Sequence, residues 1–340
     1  MVSLKTIAER CGVSTATVSK ALNDHKDISE ETKNRVKQTA EALGYFPNAA
    51  ARALKTNRSY NIGVLFEEEA GRGLTHEYFS GVLNGLKIQA EKFGYDITFI
   101  NTCFENRKMS YYEHCRYRNF EGVVIVCANF DDPDVIELMN SEIPVVTIDY
   151  VHHNCTAVTS NNIQGMEDLV KYIYSQGHRK IAYIHGQEGS SVTRDRLASF
   201  YRTIDELGLE IPDTYVRTAD YLETKGAAKQ TRELLNLEAP PTCIIYPDDT
   251  SLIGGRNVII EMGLRIPRDI SVAGYDGTMI SQLLYPKLTT IRQNTEMIGS
   301  EAATRLIGTI EKPRTTLVER VVIEGSLVPG QSVGAIQPKE

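Results

Sequence analysis

Residues 4–23 read LKTIAERCGVSTATVSKALN, and this stretch decides the fold of the first part of the chain. Apolar side chains recur at helical spacing over residues 4–11, and Gly12 is placed to end that helix. Ser14 is placed to cap a second helix over residues 15–22. Two short helices joined by a turn that contains glycine predict a helix-turn-helix, whose second helix lies in the major groove of DNA.

A third helix is predicted to support this pair. Ser29 is its N-cap, and Glu30 and Glu31 suit the positive end of the helix dipole. The helix runs to Gly44, so we expect residues 1–46 to form a helix-turn-helix DNA-binding domain. Any small three-helix module can show a similar pattern. The side chains expected to contact DNA from this domain are Thr6, Ser14, Thr15, Ala16, Thr17, Ser19, Lys20 and Asn23.

The net charge of −7 is unevenly distributed along the chain. Residues 1–60 contain ten Lys or Arg and six Asp or Glu, a net charge of +4, whereas the remainder carries −11. Neutralisation of phosphates supplies most of the non-specific affinity of proteins for nucleic acids. Only the first part of the chain is therefore suited to approach DNA, and the acidic remainder would be repelled.

A hinge helix and linker are predicted over residues 47–60. Residues 49–54 read AAARAL and are excellent helix formers. The segment is nevertheless shorter than the roughly 12–15 residues that an isolated helix needs in water, so alone it should be mostly unfolded. The alternative interpretation of this segment is a plain interdomain linker.

The run from Leu4 to Val64 resembles the LacI/GalR family of bacterial transcription regulators. The resemblance rests on TIAERCGVS at 6–14, TVSKALN at 17–23 and GYFPNAAARAL at 44–54. It implies that the hinge helices of two subunits pair in the minor groove, where an apolar leucine wedge partly unstacks the central base step and kinks the duplex. The hinge residues that it places at DNA are Asn48, Ala51, Arg52 and Leu54.

From residue 61 onward, short apolar runs alternate with helical stretches. Strands are predicted at 62–66, 97–100, 122–127, 145–148, 181–184, 242–246 and 270–275. This alternation predicts an α/β body, over residues 61–340, of two doubly wound parallel-sheet subdomains that bind ligands outside the carboxyl ends of their strands. The chain has no G-x-G-x-x-G dinucleotide motif, no G-x-x-x-x-G-K-[ST] phosphate loop and no G-x-S-x-G nucleophile motif.

The family resemblance extends through the body to about Val328. It rests on GHRKIA at 177–182, IPRDISVAGYD at 266–276 and LTTIRQ at 288–293. It implies a periplasmic-binding-protein-like fold that dimerises and holds a small effector, most often a sugar. The residues that match effector-contact positions are Tyr78, Phe79, Asp149, Arg196, Tyr221, Asp248, Asp276 and Gln293.

The chemistry of this set suits a sugar, because carboxylates accept hydrogen bonds from hydroxyls, a guanidinium donates them, and aromatic faces cover C–H groups. Taken singly, each residue could equally have a structural role. Three positions depart from the family pattern. Asp248 stands where asparagine is usual, Ser160-Asn161 replace a common acidic residue, and Ser199 sits where a glycine normally follows the effector arginine. Either an altered ligand preference or local repacking would explain them.

We expect neither a metal nor a cofactor. The six cysteines form no C-x-x-C pair, and the cluster of His152, His153 and Cys155 has no fourth ligand nearby. The first residues hold no apolar stretch of signal-peptide length, and no apolar run approaches the roughly 20 residues of a membrane span, so we expect a cytoplasmic protein. The tail from Pro329 lacks heptad leucines, which predicts a homodimer rather than a tetramer.

The sequence therefore predicts a DNA-binding repressor of carbohydrate-utilisation genes, whose affinity for its operator is changed by a small effector, a sugar or sugar derivative. One alternative is a sugar-binding protein for transport, which would need an export signal and no basic module. A second alternative is an enzyme that uses Asp248 and Asp249 as an acid/base pair on a carbohydrate.

Overall fold

The computed structural model describes residues 2–46, 53, 58–68, 71–104 and 107–336. The chain forms two compact units, Met1–Ser59 and Tyr60–Glu340, which we call the helical unit and the body. Among the described residues, no helix has both the length and the apolar character needed to cross a bilayer.

The helical unit contains the three predicted helices, α1 (Leu4–Cys11), α2 (Thr15–Leu22) and α3 (Glu30–Ala42). Each begins after a serine whose Oγ accepts a hydrogen bond from a backbone N–H three residues on, namely Ser3, Ser14 and Ser29. Gly12 ends α1 at φ 64°, a left-handed conformation that glycine adopts without steric cost. Ile7, Val18 and Val36 are fully buried, so the three helices share one small core. The predicted helix-turn-helix is confirmed.

The body alternates strands and helices. In chain order its strands are β1 (Asn61–Phe66), β2 (Asp96–Phe99), β3 (Cys103–Phe104), β4 (Arg107–Lys108), β5 (Gly122–Cys127), β6 (Val145–Ile148), β7 (Thr156–Ser160), β8 (Ile181–His185), β9 (Val216–Thr218), β10 (Cys243–Ile245), β11 (Ser271–Ala273), β12 (Thr290–Arg292), β13 (Arg320–Ile323) and β14 (Ser326–Val328). Its α-helices are α4 (Glu77–Lys92), α5 (Tyr111–Arg118), α6 (Pro133–Met139), α7 (Asn162–Ser175), α8 (Ser191–Glu206), α9 (Thr224–Leu235), α10 (Asp249–Glu261), α11 (Met279–Leu283) and α12 (Thr295–Glu311).

Two parallel sheets organise the body into a first and a second half. The first sheet has the order β2-β1-β5-β6-β7-β13, and the second has the order β9-β8-β10-β11. Buried side chains of α4, α5, α6 and α12 pack on the first sheet, and those of α7 to α10 pack on the second. The order of winding reverses between β1 and β5 and between β8 and β10, and such switch points open a crevice at the carboxyl ends of the strands.

The chain crosses between the two halves at three places in the described part of the body. It leaves the first half after β7 at Ser160, returns after β12 at Gln293, and crosses again between β13 and β14. β12 and β14 pair antiparallel, and Ile291 and Leu327 pack in the core of the second half. The two halves are thus joined by three neighbouring segments, which suits a hinge.

The predicted α/β body of two parallel-sheet halves is confirmed, with two local differences. The pattern of residues 196–207 predicts a helix that begins at Arg196, but the helix begins at Ser191, which places the arginine in its second turn. Seven strands were not predicted, because segments of two to five residues are too short to show a clear periodicity: β3, β4, β7, β9, β12, β13 and β14.

Close contact between α4 and α12 fixes the core of the first half. A Cβ atom at Gly299 would lie 1.9 Å from the carbonyl oxygen of Val82, and one at Gly85 would lie 2.2 Å from that of Glu296. The two helices therefore approach so closely that only glycine fits at these positions. In contrast, a Cβ at Gly308, also on α12, would have no neighbour within 4 Å.

We therefore expect Gly299→Ala to destabilise the body and Gly308→Ala to leave it unchanged or slightly more stable. The first change forces the helices apart and should lower the free energy of unfolding by about 2 kcal/mol or more. The second removes backbone freedom from the unfolded chain and should raise it by at most about 1 kcal/mol. Urea unfolding followed by circular dichroism measures both, and equal effects would contradict the close helix contact.

Candidate functional site

A cavity of about 710 Å³ lies between the two halves of the body. Its walls are built from residues that follow β1, β5 and β6 in the first half and β8, β9 and β11 in the second, together with the start of α4 and of α8. These are the carboxyl ends of the parallel strands, beside both switch points. The predicted effector residues that line it are Tyr78, Phe79, Asp149, Arg196, Tyr221, Asp276 and Gln293.

Asp149 stands directly after β6, with a left-handed backbone at φ 52°. The hydroxyl of Tyr78 donates a hydrogen bond to one carboxylate oxygen, and the N–H of Ser160 donates to the other at 2.8 Å. Burial raises the pKa of Asp149, although these two hydrogen bonds oppose the rise. The carboxylate therefore joins the first helix of the first half to the end of β7.

Arg196 projects from α8 and is only 3% exposed. Its Nε donates to Oδ1 of Asn162 at 2.8 Å, and its Nη1 donates to the carbonyl oxygen of Pro247 at 3.0 Å. The guanidinium lies over the ring of Tyr275, 3.5 Å from its centroid, and Nη2 is 3.8 Å from Oδ1 of Asp276. Acceptors on three sides fix the orientation of the guanidinium before any ligand binds.

Asp276 follows β11 and has φ 94°, far into the region that favours glycine. Nε2 of Gln293 donates to its Oδ1 at 2.6 Å, and the hydroxyl of Ser160 donates to Oε1 of Gln293. Burial raises the pKa of Asp276 to about 6, while the charge of Arg196 opposes the rise. A chain of hydrogen bonds thus runs from the cavity to two of the three crossings, at Gln293 and Ser160.

Asp248 does not line the cavity and is 1% exposed. Its Oδ1 accepts from the N–H of Ser251 at 2.7 Å, which caps α10, and its Oδ2 accepts from the hydroxyl of Ser251 at 2.7 Å and from the N–H of Leu222 at 2.9 Å. Three donors converge on this side chain, and a carboxylate satisfies them better than the single oxygen of asparagine. Its position favours a role in holding the Tyr221–Leu222 turn rather than direct contact with a ligand.

Asp249 also lies away from the cavity. Its Oδ2 accepts from the N–H of Thr278 at 2.8 Å and from the hydroxyl of Thr278 at 3.0 Å. Burial and the neighbouring Asp276 raise the pKa of Asp249 to about 8. Since Asp248 and Asp249 both hold protein donors and neither faces the cavity, they do not form the acid/base pair that an enzyme would need.

The other two departures from the family pattern are also engaged within the protein. The hydroxyl of Ser199 donates to the carbonyl oxygen of Ile163 at 2.6 Å and so ties α8 to α7. Asn161 caps α7, and its Nδ2 donates to Oε1 of Glu324 at 2.8 Å. These contacts favour local repacking over an altered ligand preference.

Aromatic side chains form the apolar part of the wall. The hydroxyl of Tyr221 lies 2.9 Å from that of Thr193, and its ring packs on Gly186, where a Cβ would lie 2.2 Å from the ring. Phe79 meets the ring of Tyr78 edge to face at 5.1 Å. An aromatic wall beside carboxylates and a guanidinium can hold a ligand with both apolar C–H faces and hydroxyl groups.

Several cavity residues were missed by the sequence analysis. Phe130 and Tyr150 stack in parallel at 3.8 Å, and Nδ1 of His76 is buried with no hydrogen-bond partner in the part of the chain that the structure describes. The position of Phe130 and Tyr150, directly after β5 and β6, is the signal that could have found them, because it matches that of Asp149. The missed polar residues at the solvent end are Asn129, Asp131, Gln187, Glu188, Ser190 and Arg194.

In the helical unit, Thr6 lies on α1, whereas the other predicted DNA-contact residues lie on or beside α2, where Thr15, Ala16 and Lys20 are exposed. Nζ of Lys20 pairs with Asp27 at 2.5 Å. The hydroxyls of Thr6 and Thr17 hydrogen-bond to those of the capping serines Ser3 and Ser14, and Nδ2 of Asn23 donates to the carbonyl oxygen of Ser19. The predicted hinge contacts Asn48, Ala51, Arg52 and Leu54 lie outside the described residues.

A helix-turn-helix unit on the same chain as a two-half ligand-binding body defines a ligand-responsive DNA-binding regulator. Comparison with known proteins agrees. The family described as "Bacterial regulatory proteins, lacI family" matches residues 3–48, and the "Periplasmic binding protein-like domain" matches residues 170–333.

Similar proteins include "Probable HTH-type transcriptional repressor ExuR" of Bacillus subtilis (strain 168), 30% identical over 93% of both chains, and "HTH-type transcriptional repressor PurR" of Aliivibrio salmonicida (strain LFI1238), 29% identical over 92% of this chain and 93% of that one. A crystal structure of the lac repressor dimer bound to operator and the anti-inducer ONPF matches with a TM-score of 0.82 and 26% identity, over 98% of this chain and 99% of that one. The chain belongs to the LacI family of bacterial regulatory proteins, and it is a transcriptional regulator, not an enzyme.

The raised pKa of Asp276 gives a testable dependence of stability on pH. Because the folded-state pKa of about 6 exceeds the ordinary 3.8, this carboxyl contributes stability below about pH 4, and the contribution is lost as the pH rises through 6. Asp276→Asn removes that loss. The free energy of unfolding of the variant should exceed that of the unchanged protein by about 1–3 kcal/mol at pH 7.5, and the difference should shrink towards pH 4.

Urea unfolding at a series of pH values measures this difference. Asp269→Asn is the matched control, because a hydrogen bond from Arg265 lowers the pKa of exposed Asp269, so that this variant should instead lose stability above pH 4. A less stable Asp276→Asn variant at pH 7.5 would contradict this prediction, because it would mean that the attraction between Arg196 and the Asp276 carboxylate exceeds the cost of burying that carboxylate.

Proposed function

We propose that the protein is a homodimeric repressor of carbohydrate-utilisation genes that acts in the cytoplasm, and that an uncharged sugar in the cavity changes its affinity for operator DNA. The observation that carries the proposal is the convergence of Asp149, Arg196 and Asp276 with an aromatic wall at the switch points of both sheets. Sugars present adjacent hydroxyls and apolar C–H faces, and this arrangement complements both.

The charge of the cavity supports an uncharged effector. Six carboxylates line it against two guanidiniums, those of Arg194 and Arg196, and Arg196 already has acceptors in the protein. A phosphate or carboxylate on the effector would meet this acidic surface at close range, where like charges repel strongly. The acidic lining residues are Glu67, Glu68, Asp131, Asp149, Glu188 and Asp276.

Operator recognition is proposed for the exposed face of α2. Thr15, Ala16 and Lys20 would meet base edges in the major groove, with Thr6, Ser14, Thr17, Ser19 and Asn23 beside the phosphates. The lac repressor structure is a dimer on its operator, and a dimer here would read a pseudo-palindromic site. Asn48, Ala51, Arg52 and Leu54 would then contact the minor groove at its centre.

Coupling between the cavity and DNA is proposed to follow closure of the two halves. Backbone N–H of Met279 donates to Glu77 at 2.6 Å, and Nη2 of Arg72 donates to the carbonyl oxygen of Leu222 at 3.3 Å, so contacts bridge the halves beside the cavity. An effector shifts operator affinity only as far as it binds the open and closed forms differently. Hydrogen bonds from Asp276 through Gln293 to Ser160 connect the effector cavity to two of the crossings between the halves.

Ala16→Glu should abolish operator binding without unfolding the helical unit. Glutamate in the first turn of α2 suits the helix dipole, but its charge on an exposed surface opposes the DNA phosphates. The measurement is fluorescence anisotropy on duplexes that the unchanged protein selects from a random pool. Gln38→Glu makes the same charge change on an exposed position of α3 and should cost less than about threefold. Equal losses in both variants, or selected duplexes without palindromic symmetry, would contradict the proposal.

Arg196→Ala should remove the effector response and leave operator binding intact. The change deletes the cavity guanidinium, whereas the helical unit keeps all of its contacts. Anisotropy on the selected duplex, titrated with a panel of neutral sugars, sugar phosphates and uronates, measures the response, and thermal unfolding checks that the body still folds. Arg196→Lys is the control, since it keeps the charge without the forked geometry and should retain only a weakened response. An unchanged response in Arg196→Ala would exclude this residue from the effector site.

A further inference from the structure

The cavity extends well beyond the residues that would hold one sugar ring. We call Asp149, Arg196, Tyr221 and Asp276 the floor, and Asn129, Phe130, Asp131, Tyr150, Glu188 and Arg194 the mouth. The cavity volume of about 710 Å³ lies in the upper part of the roughly 300–1,000 Å³ typical of small-molecule sites. The mouth residues make none of the hydrogen bonds that join the floor to the crossings.

A stacked aromatic pair, Phe130 and Tyr150, lies in the mouth. The rings of Phe130 and Tyr150 lie 3.8 Å apart with an interplanar angle of 2°, and both are half-buried against the core of the first half. Each ring covers one face of the other, so the pair can offer the cavity only its outer faces and ring edges, on the same sheet edge as Asp149. Binding becomes more favourable when a ligand ring covers apolar surface that water would otherwise contact.

The turns that carry these rings are held by local hydrogen bonds. The hydroxyl of Thr147 donates to the carbonyl oxygen of Tyr150 at 2.5 Å, and the N–H of Asp131 donates to Oδ1 of Asn129 at 3.0 Å. Asp132 then caps α6, accepting from the N–H of Asp134 at 2.8 Å. The stacked pair of Phe130 and Tyr150 is therefore in place before a ligand binds, which lowers the entropic cost of binding.

Exposed polar side chains surround the stacked pair in the mouth. Asn129, Asp131, Glu188 and Arg194 are exposed. The guanidinium of Arg194 can donate to ligand oxygens, and the carboxylates can accept from ligand hydroxyls. The mouth therefore combines an apolar face with hydrogen-bond donors and acceptors, as the floor does.

We propose that the mouth is a second subsite and that the effector is a two-ring, uncharged saccharide, with one ring on the floor and the other against Phe130 and Tyr150. This inference rests on the proposed sugar effector and adds the size of the ligand to it. The floor alone would accept a single ring, and the mouth would then stay filled with water.

The test is isothermal titration calorimetry of the full-length protein with neutral monosaccharides and with the disaccharides built from them: glucose against cellobiose, maltose and gentiobiose, and galactose against lactose and melibiose. One disaccharide should bind at least about tenfold more tightly than either of its component monosaccharides. Phe130→Ala should reduce that affinity about tenfold and leave monosaccharide binding unchanged, which also shows that the variant is folded. Phe93→Ala, the same change at an exposed position on the end of α4, should have no effect.

The remaining outcomes overturn the inference in distinguishable ways. A monosaccharide that binds as tightly as every disaccharide, in both the unchanged protein and Phe130→Ala, removes the second subsite and leaves the proposed sugar effector standing. A tighter disaccharide whose affinity is unaffected by Phe130→Ala places the second ring elsewhere. Failure of every saccharide to bind removes the sugar effector and the subsite together.

Discussion

The buried guanidinium of Arg196 is the interaction on which the body depends most. A charge that is almost removed from water is tolerated only where protein acceptors replace its hydration. Here the acceptors come from Asn162 at the start of α7, from the carbonyl oxygen of Pro247 after β10, and from Asp276 after β11. One side chain of α8 therefore fixes the mutual positions of three other elements, and it gives the cavity floor its shape.

The same interaction connects the floor to the hinge. Asp276 lies between Arg196 and Gln293, and Gln293 in turn accepts from Ser160. Ser160 and Gln293 stand at two crossings between the halves, and Ser160 also donates its N–H to Asp149. A ligand hydroxyl that competes for either carboxylate must change hydrogen bonds at the crossings themselves. The left-handed backbone of Asp149 and Asp276 adds strain to the same place, which is common where a site must respond to its ligand.

Much of this arrangement could be predicted from the sequence, because its signals are local. The caps Ser14 and Ser29 and the glycine at position 12 mark the helical unit, and the aspartates after short apolar runs mark the strand ends where a ligand binds. What could not be predicted depends on distant partners. Asp248 looks like a ligand contact until the N–H of Leu222 is brought to it by the fold. The positions of Phe130 and Tyr150 after apolar runs could have marked them as cavity residues, but the stacking of their rings follows only from the pairing of β5 with β6.

Because of the three crossings, the second half of the body is completed only when the last part of the chain has been synthesised. The helical unit is a continuous stretch near the start of the chain, and domains generally fold as units in the order of synthesis. The second half of the body is discontinuous, since β14 and the buried residues Ser332 and Val333 complete a core that began at α7. During synthesis there is thus an interval in which a nascent chain already carries the complete helical unit while the second half of the body is still missing its final strand.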